Sequence, residues 1–188
     1  MFPSHDRVGE TIKGQDTFPI PFGTYGNFSC LVGASKSRKT FLKSLITASY
    51  IGGQSNNYAD NIKSHRNKDL FVLDFDTEQG KWHAQQTFRR VIEMVGAPYD
   101  KYLTFGLRQY DFKTRIEFID YMIKKHKDNL GLVLIDGVAD LVSDVNDLKQ
   151  CNEAAQKLME WTDLSQCHLI CILHKNFGSS KPTGHCRS

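Results

Sequence analysis

From residue 27 onward, short apolar runs alternate with longer stretches whose apolar residues recur every three or four positions. "NFSCLVG" leads into "KTFLKSLITASYI", "LFVLDFD" into "KWHAQQTFRRVIEMV" and "YLTFGL" into "TRIEFIDYMIKKHK". "LGLVLIDG" then leads into "DLKQCNEAAQKLMEWTDL", and "HLICILH" closes the series. Period-free apolar runs of this length predict buried strands, and the three-to-four spacing predicts amphipathic helices. The result is four β-α units and a fifth strand. Because the strand runs are nearly continuous rather than alternating, the predicted fold class is α/β: three layers, with a mostly parallel central sheet covered by helices on both faces.

Local signals refine the boundaries. Thr114 and Glu117 in "TRIE" predict a capping box, and Asn146 or Asp147 predicts the cap of the helix carrying Ala154, Leu158 and Trp161. Residues 1–26, punctuated by "FPIPFGTYG", read as a polar lead-in, with the core domain over 27–188. Residues 52–69 read as a long polar connection.

Composition narrows the class without deciding it. A chain of 188 residues buries roughly 70% of its unfolded surface, enough for a core without disulfide staples. Five cysteines at irregular spacing fit reduced packing residues better than an extracellular framework. The opening "MFPSHDRVGE" lacks a charged-then-apolar leader, and no apolar run approaches the ~18 residues of a membrane span, so a soluble, cytoplasmic protein is expected. A net charge of +3 is too mild to argue for nucleic acid by itself.

The chemistry concentrates where strands hand over to helices. In "LVGASKSRKTF" the phosphate-loop pattern GxxxxGK[ST] is met at Gly33, Lys39 and Thr40, with Arg38 standing where the second glycine belongs. A strand that turns into a helix presents free backbone amides and the positive end of the helix dipole, which suits phosphate. The candidate cradle is Gly33, Ala34, Ser35, Lys36, Ser37, Arg38, Lys39, Thr40 and Phe41, with Lys39 reaching the β- and γ-phosphates and Thr40 ligating Mg2+. Arg38 is expected to begin the helix at negative φ, leaving the loop modified but able to bind. Asp136, after the four apolar residues of "LVLIDG", is the second candidate metal ligand, although an aspartate ending a strand also suits a turn.

"FVLDFDTEQG" puts Asp74 and Asp76 on one strand face, and Asp74, inside a buried strand, calls for a partner. Glu78 is the candidate base that would orient and deprotonate the attacking water, and it also suits the start of the following helix. His174, directly after the last strand, is the candidate γ-phosphate sensor, with a structural role open to it as well. Asp140 and Asp144 fit either a metal shell or turns. Lys81, His83, Arg89 and Arg90 fit a solvated face or a nucleic-acid path. A zinc set drawn from Cys167, His168, Cys171, His174, His185 and Cys186 matches no common spacing.

Taken in order, "GASKSRKT", "DFDTEQGK", "LIDGVADLVSDVND" and "LHKNFG" resemble the RecA-like branch of P-loop ATPases, and within it the RepA-like and AAA_25-type ATPases of bacterial mobile elements and phages. The resemblance covers residues 27–178. It implies ATP and Mg2+ as cofactors, catalysis through Glu78, Lys39 and His174, and a sensor strand lying between the P-loop strand and the strand of Asp136. It also implies DNA as a partner, a helicase-like motor for DNA replication or mobilisation, and a homo-oligomeric ring or filament. RecA-like cores continue beyond the sensor strand and supply an arginine finger. Here "GSSKPTGHCRS" follows, so C-terminal strands are expected to be missing, and Lys175, Lys181 and Arg187 are the candidates for that cation. The rival reading is an assembly or regulatory module that binds ATP with little turnover.

Overall fold

The computed structural model describes residues 7–11, 20–52, 62–64 and 70–175. In chain order, β1 (Arg7–Thr11), β2 (Ile20–Thr24) and β3 (Phe28–Ala34) precede α1 (Lys39–Gly52) and β4 (Ile62–Ser64). There follow β5 (Phe71–Asp76), α2 (Lys81–Val95), β6 (Tyr102–Gly106) and α3 (Phe112–His126), then β7 (Leu130–Asp136), α4 (Leu148–Ser165) and β8 (His168–Lys175). The central sheet has five strands, all parallel, in the order β3-β8-β7-β5-β6. This is the predicted α/β architecture, and the strand of His174 does lie between β3, which feeds the Lys39 loop, and the strand of Asp136.

Two apolar clusters sandwich the sheet. On one side Leu73, Phe75, Val133, Ile135 and Leu169 pack against Ile119 and Ile123 of α3 and Leu158 and Trp161 of α4. On the other, Val72, Leu132, Leu134 and Ile170 meet Ile46, Tyr50 and Ile51 of α1 and Val91 of α2. Period-two alternation therefore sends Asp74, Asp76 and Asp136 to the α1 side, in step with Val72, Leu132 and Leu134. Burying a side chain of this size contributes roughly 1.5–3 kcal/mol, so the sandwich has the strength to hold those carboxylates in place.

Several expectations change. The polar lead-in and the polar connection both contain strands: β1 pairs antiparallel with β2 and with β4, forming a separate small sheet in the order β2-β1-β4. Glycine and proline interrupt the apolar pattern in β1 and β2, and β4 is only three residues long. Strand β3 is an edge strand, and Phe28, Cys30, Val32 and Ala34 are exposed on one face rather than covered. Helix α3 begins at Phe112, not at Thr114, because the extended Asp111 is the cap: its Oδ1 accepts the amides of Lys113 and Thr114, each at 3.0 Å. Asp147, rather than Asn146, caps α4 in the same way. Cys151, Cys167 and Cys171 are buried free thiols, as expected, but Cys30 is exposed.

Candidate functional site

The carboxyl ends of four adjacent strands are in register. Gly33 is paired with His174 across β3 and β8, and Asp76 with Asp136 across β5 and β7. Every strand-end candidate from the sequence therefore arrives at one sheet edge, the usual ligand edge of open α/β folds.

The loop after β3 is tight. Ser37 donates its amide to Ala34 at 3.2 Å, and Leu42 donates to Arg38 at 3.0 Å as α1 starts. Lys36 and Arg38 both have φ of 63°. Arg38 is thus in the left-handed conformation that glycine takes freely, not at the negative φ expected of it, because the chain must reverse before Lys39 can open the helix. At Gly33 a Cβ would come within 2.8 Å of Ser37 Oγ, so a larger residue there would have to push the Ser37 hydroxyl aside. The Lys39 ammonium arches back over the loop, donating to the Gly33 carbonyl (2.8 Å), the Ala34 carbonyl (2.7 Å) and Ser37 Oγ (3.3 Å). Burial lowers its pKa, opposed by the negative charges of Glu78 and Asp136. Thr40 is half-buried beside it, and Phe41 is exposed.

Opposite the loop, β5 delivers a turn that Asp76 organises. Asp76 Oδ1 accepts the amides of Glu78 (3.1 Å) and Gln79 (2.8 Å), which fixes where Glu78 leaves the strand. Thr77 ties this turn to β7. Its amide donates to the Asp136 carbonyl at 3.0 Å, and its hydroxyl lies 2.9 Å from both the Gly137 carbonyl and Asp140 Oδ2. Gly137, at φ 101°, is where the two turns touch; a Cβ there would fall 2.2 Å from Thr77 Oγ1 and 2.6 Å from Glu78 Cγ.

His174 Nε2 contacts Glu78 Oε2 at 2.8 Å. Ligand atoms of Glu78, Asp136 and His174 all lie within 4.8 Å of one another. Burial raises the Glu78 pKa; His174 opposes that rise, and Asp136 and Asp140 add to it. Asp76 is raised as well, chiefly by burial.

Asp76 Oδ2 and Asp136 Oδ2 are buried with no hydrogen-bond donor among the described residues. Orphaned carboxylate oxygens are costly. Asp136 is grouped with Glu78 and His174, and its open oxygen fits a hard divalent cation such as Mg2+, which prefers one or two carboxylates beside phosphate oxygens. Asp136 would be one ligand, and Thr40, half-buried at the start of α1, is the other candidate.

Several contributors escaped the sequence reading. Lys43, one helical turn beyond Lys39, is fully buried and donates to Asp74 Oδ1 at 2.9 Å. It answers the question of Asp74's partner together with Tyr102, whose hydroxyl donates to Asp74 Oδ2 at 2.7 Å. Thr77 and Gly137 also went unremarked. The spacing of Lys39 and Lys43 at i, i+4 on one helix face was the signal that could have found Lys43.

Other candidates resolve into structural roles. Asp144 Oδ1 accepts the Asn146 amide at 2.8 Å, a turn contact. Both ring nitrogens of His168 are engaged, by Ser29 Oγ (2.9 Å) and the Thr24 carbonyl (2.8 Å), which removes it from a zinc set. Arg89 pairs with Glu93 on the surface, and Arg90 lies over the Phe41 ring. His185, Cys186, Lys181 and Arg187 fall outside the described residues.

A family profile described as an AAA domain matches residues 22–179, most of the chain and all of the central sheet. The protein belongs to the AAA domain family. An AAA domain is a nucleotide-binding ATPase module, and the cradle, buried acids and strand order described above occupy the matched span. No curated protein matches the chain as a relative. Among the described residues of this AAA protein, no helix is long and apolar enough to cross a membrane.

Proposed function

We propose that the carboxyl edge of the sheet binds Mg-ATP and hydrolyses it. The observation that carries this reading is the convergence of Glu78, Asp136 and His174 within 4.8 Å, next to a lysine already arched over a glycine-walled loop. Lys39 would exchange the Gly33 and Ala34 carbonyls for phosphate oxygens, with the amides that open α1 offered to the phosphate as well. Thr40 and Asp136 would hold Mg2+, which would supply charge neutralisation at the phosphates. His174 turns from Glu78 to the γ-phosphate. Glu78, released, would accept a proton from the water whose oxygen bonds to the γ-phosphorus as the bond from that phosphorus to the β-phosphate oxygen breaks and ADP leaves.

The resemblance to RepA-like ATPases supports coupling this turnover to DNA replication or mobilisation in a homo-oligomeric ring or filament. The exposed start of α2, where Trp82 is 65% exposed between Lys81 and His83, is a described surface suited to stacking on single-stranded DNA. The 2.8 Å Glu78–His174 contact favours a second reading, a regulatory module in which the base stays occupied and ATP is bound with little turnover.

The test is ATP binding and hydrolysis, with and without single-stranded DNA. Lys39→Ala should lose binding, whereas Glu78→Gln should bind normally and hydrolyse at least ~100-fold more slowly. Equal turnover in wild type and Glu78→Gln would remove the base. Tight binding with no turnover even when DNA is present would select the regulatory module.

A further inference from the structure

Lys43 is a fully buried ammonium set between two buried aspartates that come from different strands. Its Nζ is 2.9 Å from Asp74 Oδ1, with hydrogen-bond geometry, and 3.4 Å from Asp136 Oδ2, without it. The Phe88 ring covers it, with the centroid 5.6 Å away. Asp74 spends both oxygens, one on Lys43 and one on the Tyr102 hydroxyl. Asp136 spends neither lone pair of Oδ2 on a hydrogen bond. The ammonium is therefore anchored to Asp74 and only leans on Asp136.

Acids packed this closely in a dry site repel one another, and two kinds of charge can offset them: a bound divalent ion or a cation built into the chain. We propose that Lys43 is a tethered counter-cation for Asp136, which makes nucleotide binding at this site less dependent on a divalent ion than a lone Asp136 would make it. The inference rests on reading this edge as the ATP site. Asp136 Oδ2 remains open to a metal, but a metal bound there meets a fixed positive charge at short range, so its net contribution to binding falls. Without a metal, Lys43 still shields the incoming phosphates from Asp136. Asp74 sets the balance, because its stronger claim on Lys43 decides how much of the ammonium Asp136 receives.

The experiment measures the dissociation constant of a fluorescent ADP (methylanthraniloyl-ADP) in Mg2+ and in EDTA, and takes the EDTA-to-Mg2+ ratio for three proteins. In Lys43→Met/Asp74→Asn the buried pair is removed as a neutral unit and Tyr102 keeps an acceptor; the ratio should rise at least fivefold over wild type. In Asp74→Asn, Lys43 is released toward Asp136 and the ratio should fall below wild type. Ratios within twofold of wild type in both variants would overturn the proposal while leaving the ATP site intact. If the double variant does not fold, Asp74→Asn decides alone: a lower ratio supports the tethered cation, and an equal or higher one rejects it. Wild type that binds no nucleotide in either buffer would remove the ATP-site reading and this inference with it.

Discussion

His174, from the last strand of the sheet, touches Glu78, from the turn after β5, at 2.8 Å across the carboxyl edge. The strand of Asp136 runs between their two strands, so the contact bridges the whole candidate site.

That contact governs how Glu78 titrates. Burial raises the Glu78 pKa and His174 opposes the rise, so His174→Ala should raise it further. Because the base works ionised and kcat/KM reports the free enzyme, the acid limb of kcat/KM for ATP should move to higher pH in His174→Ala. An acid limb that stays put would show that the two groups are not coupled.

Gly137→Ala should damage hydrolysis more than binding. Its Cβ would strike Thr77 Oγ1 and Glu78 Cγ, and φ is 101°, so the turn carrying Glu78 must shift while the Lys39 loop is untouched. Misplacement on the order of 1 Å costs about 100-fold in rate. Comparing nucleotide affinity with kcat in the same variant checks this; a matching loss of both would place Gly137's effect in the fold instead.

Arg38→Gly should raise stability slightly and keep nucleotide binding. An L-residue in the left-handed region costs roughly 1–2 kcal/mol, and the added freedom of glycine in the unfolded chain returns about 0.4–1 kcal/mol of that, leaving a gain of about 0.5 kcal/mol. Arg38→Val, β-branched at φ 63°, should instead destabilise by more than about 1 kcal/mol. Thermal melts of the pair settle the sign.

Away from the site, Asp120 anchors α3 to α4. Trp161 Nε1 donates to it at 3.0 Å, and Lys124 and Lys157 contact it at 2.6 and 3.0 Å. Burial pushes its carboxyl up, but these hydrogen bonds outweigh burial and hold it at about 2. A depressed carboxylate contributes stability that is complete above its unfolded pKa, near 4, and is lost as pH falls toward 2. Asp120→Asn should cost about 1.5 kcal/mol at pH 7, after allowance for the exposed Lys124, and the penalty should be largely lost by about pH 2 and vanish by about pH 1. Denaturant unfolding across that range gives the curve; a penalty independent of pH would point to packing alone.

The parts of the site that could be read in advance share one property: each stands at or just beyond the carboxyl end of a strand of the central sheet, so position in the chain already implies position at the sheet edge. Gly33, Lys39, Glu78, Asp136 and His174 are all of this kind. Lys43 is not. In "KTFLKSL" it looks like an ordinary polar position of an amphipathic helix, and its role exists only because α1 crosses the face where Asp74 and Asp136 emerge. Asp74 could be seen to need a partner, but a pairing 31 residues away is a property of packing. The cap of α3 shows a nearer ambiguity: "TRIE" has the right spacing, yet Asp111 lies one turn earlier and supplies the better acceptor. Arg38 was misjudged for a different reason, since a motif records which residue is usual and not the backbone angle that makes it so.

The strand order has a kinetic side. Within the five-stranded sheet β3 pairs with β8 alone, so the first strand of the sheet to be synthesised must wait for the last, some 140 residues later. A nascent chain emerging from the ribosome can assemble β5, β6 and β7 around α3 while Lys39 and its loop remain undocked. The nucleotide cradle is then the final piece to form, and nucleotide present during synthesis would act as a trap that pulls this slow closing step to completion.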